Sequence, residues 1–188
     1  MFASTLNLTV LIEALYTSGG TAMPISPMVT VELHNSTSPY ALVDSNSAVL
    51  NPAGTGTFKF TKAVNGTNYY IVVKSMNTLA TWSASPHSFT SSALSYDFTT
   101  GVTQAYTDGS NPPLALHNGK YCIYSGDLNQ DGVINKSDYT GVDNDNSTFN
   151  FHPVNDLNGD GLISTADEQS IDNNFILLIH RQAPAGAL

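Results

Sequence analysis

Hydrophobic and polar residues alternate with a period of two through much of the first 122 positions. Leu6, Leu8, Val10, Ile12, Ala14 and Tyr16 are separated by mostly polar neighbours, the pattern of a half-buried strand. Val29, Val31 and Leu33 alternate with Thr30, Glu32 and His34, and Phe58 and Phe60 flank Lys59. Tyr69 to Val73 is an unbroken β-favouring run, which suits a central strand. Ala80 to Ser83 around Trp82, and Leu94, Tyr96 and Phe98, add two more segments. Gly19-Gly20, Asn51-Pro52-Ala53-Gly54, Asn65-Gly66 and Ser85-Pro86 supply the turns between them. Short strands at this spacing predict an antiparallel β-sandwich over residues 1–122. No helical periodicity is read before residue 135. After it, two stretches are compatible with helix, Ser137 to Asn144 and Thr165 to Leu178.

Each of those stretches follows a twelve-residue segment with regularly placed oxygen-bearing side chains. The first carries Asp127, Asn129, Asp131, Asn135 and Asp138 at positions 1, 3, 5, 9 and 12, with Gly132 at position 6 and the carbonyl of Val133 at position 7. The second carries Asp156, Asn158, Asp160, Ser164 and Asp167 at the same positions, with Gly161 and the carbonyl of Leu162. Calcium takes six to eight hard oxygen ligands on a flexible frame, and a glycine at position 6 makes the sharp turn that lets them converge. An Asp/Asn/Gly-rich surface turn is the plain alternative, and the number of spaced ligand matches outweighs it. The repeat extends past the ligands: Val142-Asp143-Asn144 corresponds to Ile171-Asp172-Asn173. Ile134 and Ile163 share the position at which such loops form a short β-bridge with each other, so the two halves are expected to pack about a pseudo-twofold axis. Two Ca²⁺ ions per chain are expected.

The run Gly126-Asp127-x-Asn129-x-Asp131-Gly132-x-Ile134-Asn135-x-x-Asp138 resembles the type I dockerin repeat of extracellular bacterial proteins. Both loops share that family's Asp at position 12. The resemblance spans residues 126 to about 180 and implies a small, duplicated loop–helix calcium module over residues 123–188, ending in an apolar tail. It also implies a cohesin-like partner, with loop positions 10 and 11 helping to set the contact; these are Lys136-Ser137 and Thr165-Ala166, an unmatched pair. The segment between the loops holds Phe149, Phe151 and Pro153, which suggests a divergent member. The strand order and the phrase Tyr69-Tyr-Ile-Val-Val-Lys74 are loosely similar to immunoglobulin-like or prealbumin-like sandwiches of bacterial surface proteins. The expected fold class is therefore mainly β, with a sandwich followed by the calcium module.

Charge follows the metal ligands. The chain has a net charge of −9, and residues 126–172 hold nine Asp, one Glu and one Lys, so all of it lies there. Without a cation these carboxylates repel one another, so this part should depend on calcium to fold. The acidity argues against nucleic acid, which calls for basic patches. Only 11% of residues are charged, against about 25% in a typical soluble domain. A surface rich in Thr, Ser and Asn suits an extracellular protein, or one covered by copies of itself. No apolar run approaches the ~20 residues of a membrane span. No signal peptide is visible, so an exported chain is read here in its mature form. The single cysteine, Cys122, reads as a small buried side chain.

No catalytic constellation stands out. The five histidines are scattered without zinc spacing. There is no Gly-x-Ser-x-Gly elbow, and Gly54-Thr55-Gly56 leads into a strand rather than a helix. Glu13 and Glu32 are placed on outward faces. Trp82 and the tyrosines favour core packing over a sugar-stacking platform. Both ends of the chain are uncharged and fairly apolar, and they suggest contacts with neighbouring copies. The expectation is a secreted, non-enzymatic, calcium-binding structural protein that assembles with itself into a fibre, tube or surface layer. A docking module tethering a sandwich, with or without sugar binding, to a cohesin-like partner is the second reading, and a fragment of a polysaccharide-degrading enzyme the third.

Overall fold

The computed structural model describes residues 3–148 and 153–187. Phe149 and Phe151 lie outside the described residues. The chain is mainly β, and its larger part is a β-sandwich. One sheet has the order β4-β1-β8, from β1 (Ser4–Thr9), β4 (Thr55–Phe60) and β8 (Ala93–Asp97). The other has the order β3-β2-β5-β6, from β2 (Met28–Asn35), β3 (Leu42–Val49), β5 (Asn68–Lys74) and β6 (Thr81–Trp82), with β7 (His87–Ser88) also on β5. A short hairpin, β9 (Ala115–His117) and β10 (Lys120–Cys122), leads out of the sandwich. Register places Leu6 opposite Phe58, and Val31 and Leu33 opposite Val73 and Ile71. These side chains share one buried core with Phe60, Phe89, Phe98 and Cys122. The other face of β5 is covered too, because Tyr70 and Val72 pack with Trp82. An unbroken apolar run suits a strand buried on both faces, as the sequence indicated for 69–73.

Several expectations are corrected. The strand read across residues 6–16 stops at Thr9, and Glu13–Gly19 is a helix, α1. Every residue from Val10 to Tyr16 is buried, so the alternation ends where the helix approaches. Ile12 and Tyr16 satisfy both a period of two and a helical i, i+4 pair, and Tyr16 N donates to Ile12 O. The sandwich is not wholly antiparallel, since β1 pairs with β8 in parallel. β3 is an additional edge strand whose polar sequence hides it. Finally, Glu13 does not face outward. It is buried, and its carboxylate accepts from His117 Nε2 at 3.0 Å, Ser125 N at 3.2 Å and Asn174 Nδ2 at 2.6 Å. Glu32 is mostly buried also, paired with Lys74 at 2.8 Å and His34 at 2.9 Å.

Two further helices, α2 (Tyr139–Thr148) and α3 (Thr165–Ile176), pack together in the C-terminal part. A second core unites that part with the sandwich. Ile134, Val142, Leu157, Ile171 and Ile179 close against Ala14, Leu79, Ala115 and Tyr124. The Glu13 carboxylate sits on this seam, reaching the start of the first loop through Ser125 and α3 through Asn174. Removing one partner of a buried, charged cluster leaves the others desolvated and unpaired, a cost of about 3–5 kcal/mol. Glu13→Ala should therefore lower unfolding free energy by about that amount in urea titration. Exposed Lys59→Ala should change it by less than about 0.5 kcal/mol.

Candidate calcium-binding loops

The two loops, 127–138 and 156–167, fold by the same local rules. In the first, Asn129 Oδ1 accepts from Asp131 N at 2.9 Å and Asp131 Oδ1 accepts from Val133 N at 2.9 Å. In the second, Asn158 Oδ1 accepts from Asp160 N at 2.9 Å and Asp160 Oδ1 from Leu162 N at 2.8 Å. These Asp and Asn turns bend the backbone so that successive side-chain oxygens face inward. Gly132 and Gly161 hold φ of +89° and +83° where the loop reverses, and each donates its amide to the position-1 carboxylate, Asp127 at 3.2 Å or Asp156 at 3.0 Å. Position 9 closes each loop by starting a helical turn. Asn135 and Ser164 are N-caps in capping boxes with Asp138 and Asp167. Asp138 also accepts from Leu128 N and Asn129 N, and Asp167 from Leu157 N and Asn158 N. All twelve ligand positions named from the sequence thus lie in two matching loops, with Val133 and Leu162 contributing only their carbonyls.

The electrostatics are those of acids crowded together. Asp127 is 2% exposed, and its Oδ1 has no hydrogen-bond partner. Burial, with the charges of Asp138 and Asp131 beside it, pushes its carboxyl up to about 6. Burial raises the Asp167 carboxyl as well, against backbone amides that pull it down. An orphaned, buried carboxylate oxygen inside a ring of oxygen donors fits a hard divalent cation. Among the described residues no three His, Cys, Asp or Glu side chains gather closely enough to hold an ion by themselves. The remaining donors of each loop are Asn, Ser and main-chain oxygens.

The expected bridge between the loops is not formed. Val133 instead bridges His180 in an antiparallel pair, Ile134 N donates to Ile179 O at 3.0 Å, and Arg181 N donates to Gly132 O at 2.8 Å. The C-terminal segment 179–181 occupies the side of loop one that was assigned to its twin, and Leu162 of loop two is exposed. Ile134 is buried and Ile163 packs against the second core. Sequence reasoning also missed Gln130. Its Nε2 donates to Asp127 O, Thr78 O and Met76 O and so ties loop one to the sandwich. The contacts to residues 76, 78 and 179–181 have no local signal, because those partners lie about fifty residues away. A Ser110–His180–Asp108 cluster is exposed nearby. Ser110 Oγ and Asp108 Oδ2 both face His180 Nε2, so the ring cannot relay a proton from serine to aspartate.

No protein-family model matches the sequence, and no curated protein matches it. The chain is similar to a chain in the crystal structure of an N-terminal interface mutant of a type II cohesin–X–dockerin complex from Acetivibrio cellulolyticus. Identity is 20%, the TM-score is 0.47, and the match covers 92% of this chain and 93% of that one. The expectation of a self-assembled fibre, tube or layer is corrected, because the surface it relied on is used within the chain. The apolar C-terminal tail, one motive for assembly beside the low charge density and the lack of a catalytic constellation, packs on its own sandwich, with Ala183 and Ala187 against the Trp82 cluster. Trp82 and its tyrosines are likewise core, not a stacking platform. Among the described residues no helix is long and apolar enough to cross a membrane.

An acid whose folded pKa stands above its unfolded one holds its proton more firmly when folded. In metal-free protein the stability contributed by Asp127 is present below its ordinary value of 3.8 and lost as pH rises to about 6. The melting temperature of chelator-treated protein should fall across that window. Asp127→Asn, which has no such proton to lose, should flatten the slope.

Proposed function

We propose that this chain is an extracellular, non-enzymatic protein-binding module whose binding surface is set by two calcium ions. One observation carries the reading. Loop two begins α3 through the Ser164 cap, and α3 ends in the exposed apolar run Phe175, Ile176, Leu177 and Leu178. An ion in the loop would fix the start of the helix whose far end presents this surface. Ile176 and Leu177 border an apolar cleft of about 670 Å³ that also includes Val102, Leu114, Leu116 and Tyr121. Contiguous exposed apolar surface of this kind marks contact with another macromolecule. The partner we favour is a protein of the class found in cohesin–X–dockerin complexes.

Each loop supplies a full oxygen set, so calorimetry should give two Ca²⁺ per chain, with one lost in Asp127→Ala and one in Asp160→Ala. Extracellular calcium modules commonly bind at ~0.1–1 mM, so a weak site is expected. Saturation at a hundredfold excess over Kd should add about 2.7 kcal/mol per site to stability. A stoichiometry of zero would overturn the calcium reading. Immobilised type II cohesin and X–dockerin modules test the partner: one should retain the chain in calcium and release it in EDTA. Leu177→Asp should weaken retention without changing calcium stoichiometry. Retention that is absent from both, or indifferent to Leu177, overturns the partner class.

A further inference from the structure

Loop one is built into a strap that loop two lacks. Ile179–Arg181 pairs with Gly132–Ile134, and the Arg181 guanidinium lies over Gly132, where a Cβ would stand 3.1 Å from Cζ. Gln182 then anchors the chain, its Oε1 accepting from Asp108 N and its Nε2 donating to Asn111 O, both at 3.0 Å. Beyond it the tail turns, with Ala187 N donating to Pro184 O, and seats Ala183 and Ala187 on the cluster of Tyr70, Val72 and Trp82. Tyr40 and Tyr106 flank the same cluster, edge-on to Tyr70. One continuous path of about nine residues thus runs from the candidate ion site to the only tryptophan in the chain.

We propose that residues 179–187 are a calcium-dependent strap. With an ion in loop one, the loop keeps the backbone shape that pairs with Ile179–Arg181, and the paired strap covers Trp82. Without the ion, Asp127, Asp131 and Asp138 repel, the pairing edge at Gly132–Ile134 is lost, and the tail lifts from the aromatic cluster. The Arg181 guanidinium lies against the Gly132 backbone, so the strap and the turn of loop one are packed together. Loop two rests instead on Leu15 and Ile25 through Gly159 and reaches the strap only through α3, whose Asn174 O accepts from Ile179 N, so loss of its ion should disturb Trp82 far less. This inference rests on the calcium reading above.

Tryptophan fluorescence of the full chain tests it. Removing calcium with EDTA should shift Trp82 emission to longer wavelength and increase its quenching by acrylamide, while the β signal in circular dichroism persists. Asp131 is exposed, so Asp131→Ala leaves the core intact; it should show the open spectrum even in calcium, and Asp160→Ala the closed one. A chain ending at Gln182 should bind calcium and remain open. Calcium that binds without changing Trp82, or equal responses from the two loop variants, overturns the strap and leaves the calcium reading standing. Failure of the chain to bind calcium at all overturns both.

Discussion

Carboxylates held close together, with almost no basic side chain among them, constrain the whole C-terminal part. Residues 126–172 carry all the net charge of the chain, and folding concentrates it further by placing three aspartates in each loop. Two like charges 4 Å apart repel by about 1 kcal/mol in water and about 4 kcal/mol near a protein surface. A hydrogen bond from an amide to a charged group returns about 1.5–3 kcal/mol. Asp138 and Asp167 accept several such bonds and are held in place by them. Asp127 is the exception, since one of its oxygens is buried with no donor. Amides alone leave that oxygen uncompensated, and a divalent cation in the loop would satisfy it while cancelling repulsion among its neighbours.

This constraint reaches the sandwich because the two parts share a core. Ala14 and Leu79 are as much members of it as Ile134 and Ile171. At the seam, Glu13 binds His117 on one side and Asn174 on the other, and this hydrogen bond raises the His117 pKa. Ser125, two residues before the first ligand, donates its amide to Glu13 and accepts Ala14 N on its hydroxyl. The approach to loop one is therefore joined to α1 by direct hydrogen bonds rather than by a flexible linker.

Much of the site was legible in the sequence because its chemistry is local. Asn129 acts on Asp131, Asp131 on Val133 and Asn135 on Ser137, all two residues away, so side-chain spacing specifies the loop. β5 was legible for a similar reason, since a run of apolar residues needs no partner to be recognised. What stayed hidden depends on distant residues. Ile12 and Tyr16 suit a strand or a helix equally, and the choice is made where Leu11 O meets Ile123 N, over a hundred positions away. Glu13 looks like a surface residue until His117, Ser125 and Asn174 arrive. β3 lacks the apolar alternation that marks a strand and is fixed by its pairing with β2.

The loops also show how far a repeat can be trusted. Their internal hydrogen bonds agree almost bond for bond, yet their surroundings differ. Gln130 ties loop one to residues 76 and 78, and Ile179–Arg181 takes its open edge; position 4 of loop two is Gly159, whose missing side chain lets the backbone lie against Leu15 and Ile25. Ligand binding stabilises whatever structure must be in place for the ligand to bind. For loop one that structure includes the C-terminal segment 179–181 and, through Gln182, the 108–111 segment. For loop two it includes mainly α3. Sequence identity between the loops therefore speaks to the ligands they can offer, while the residues packed around each loop decide what its ion would hold together.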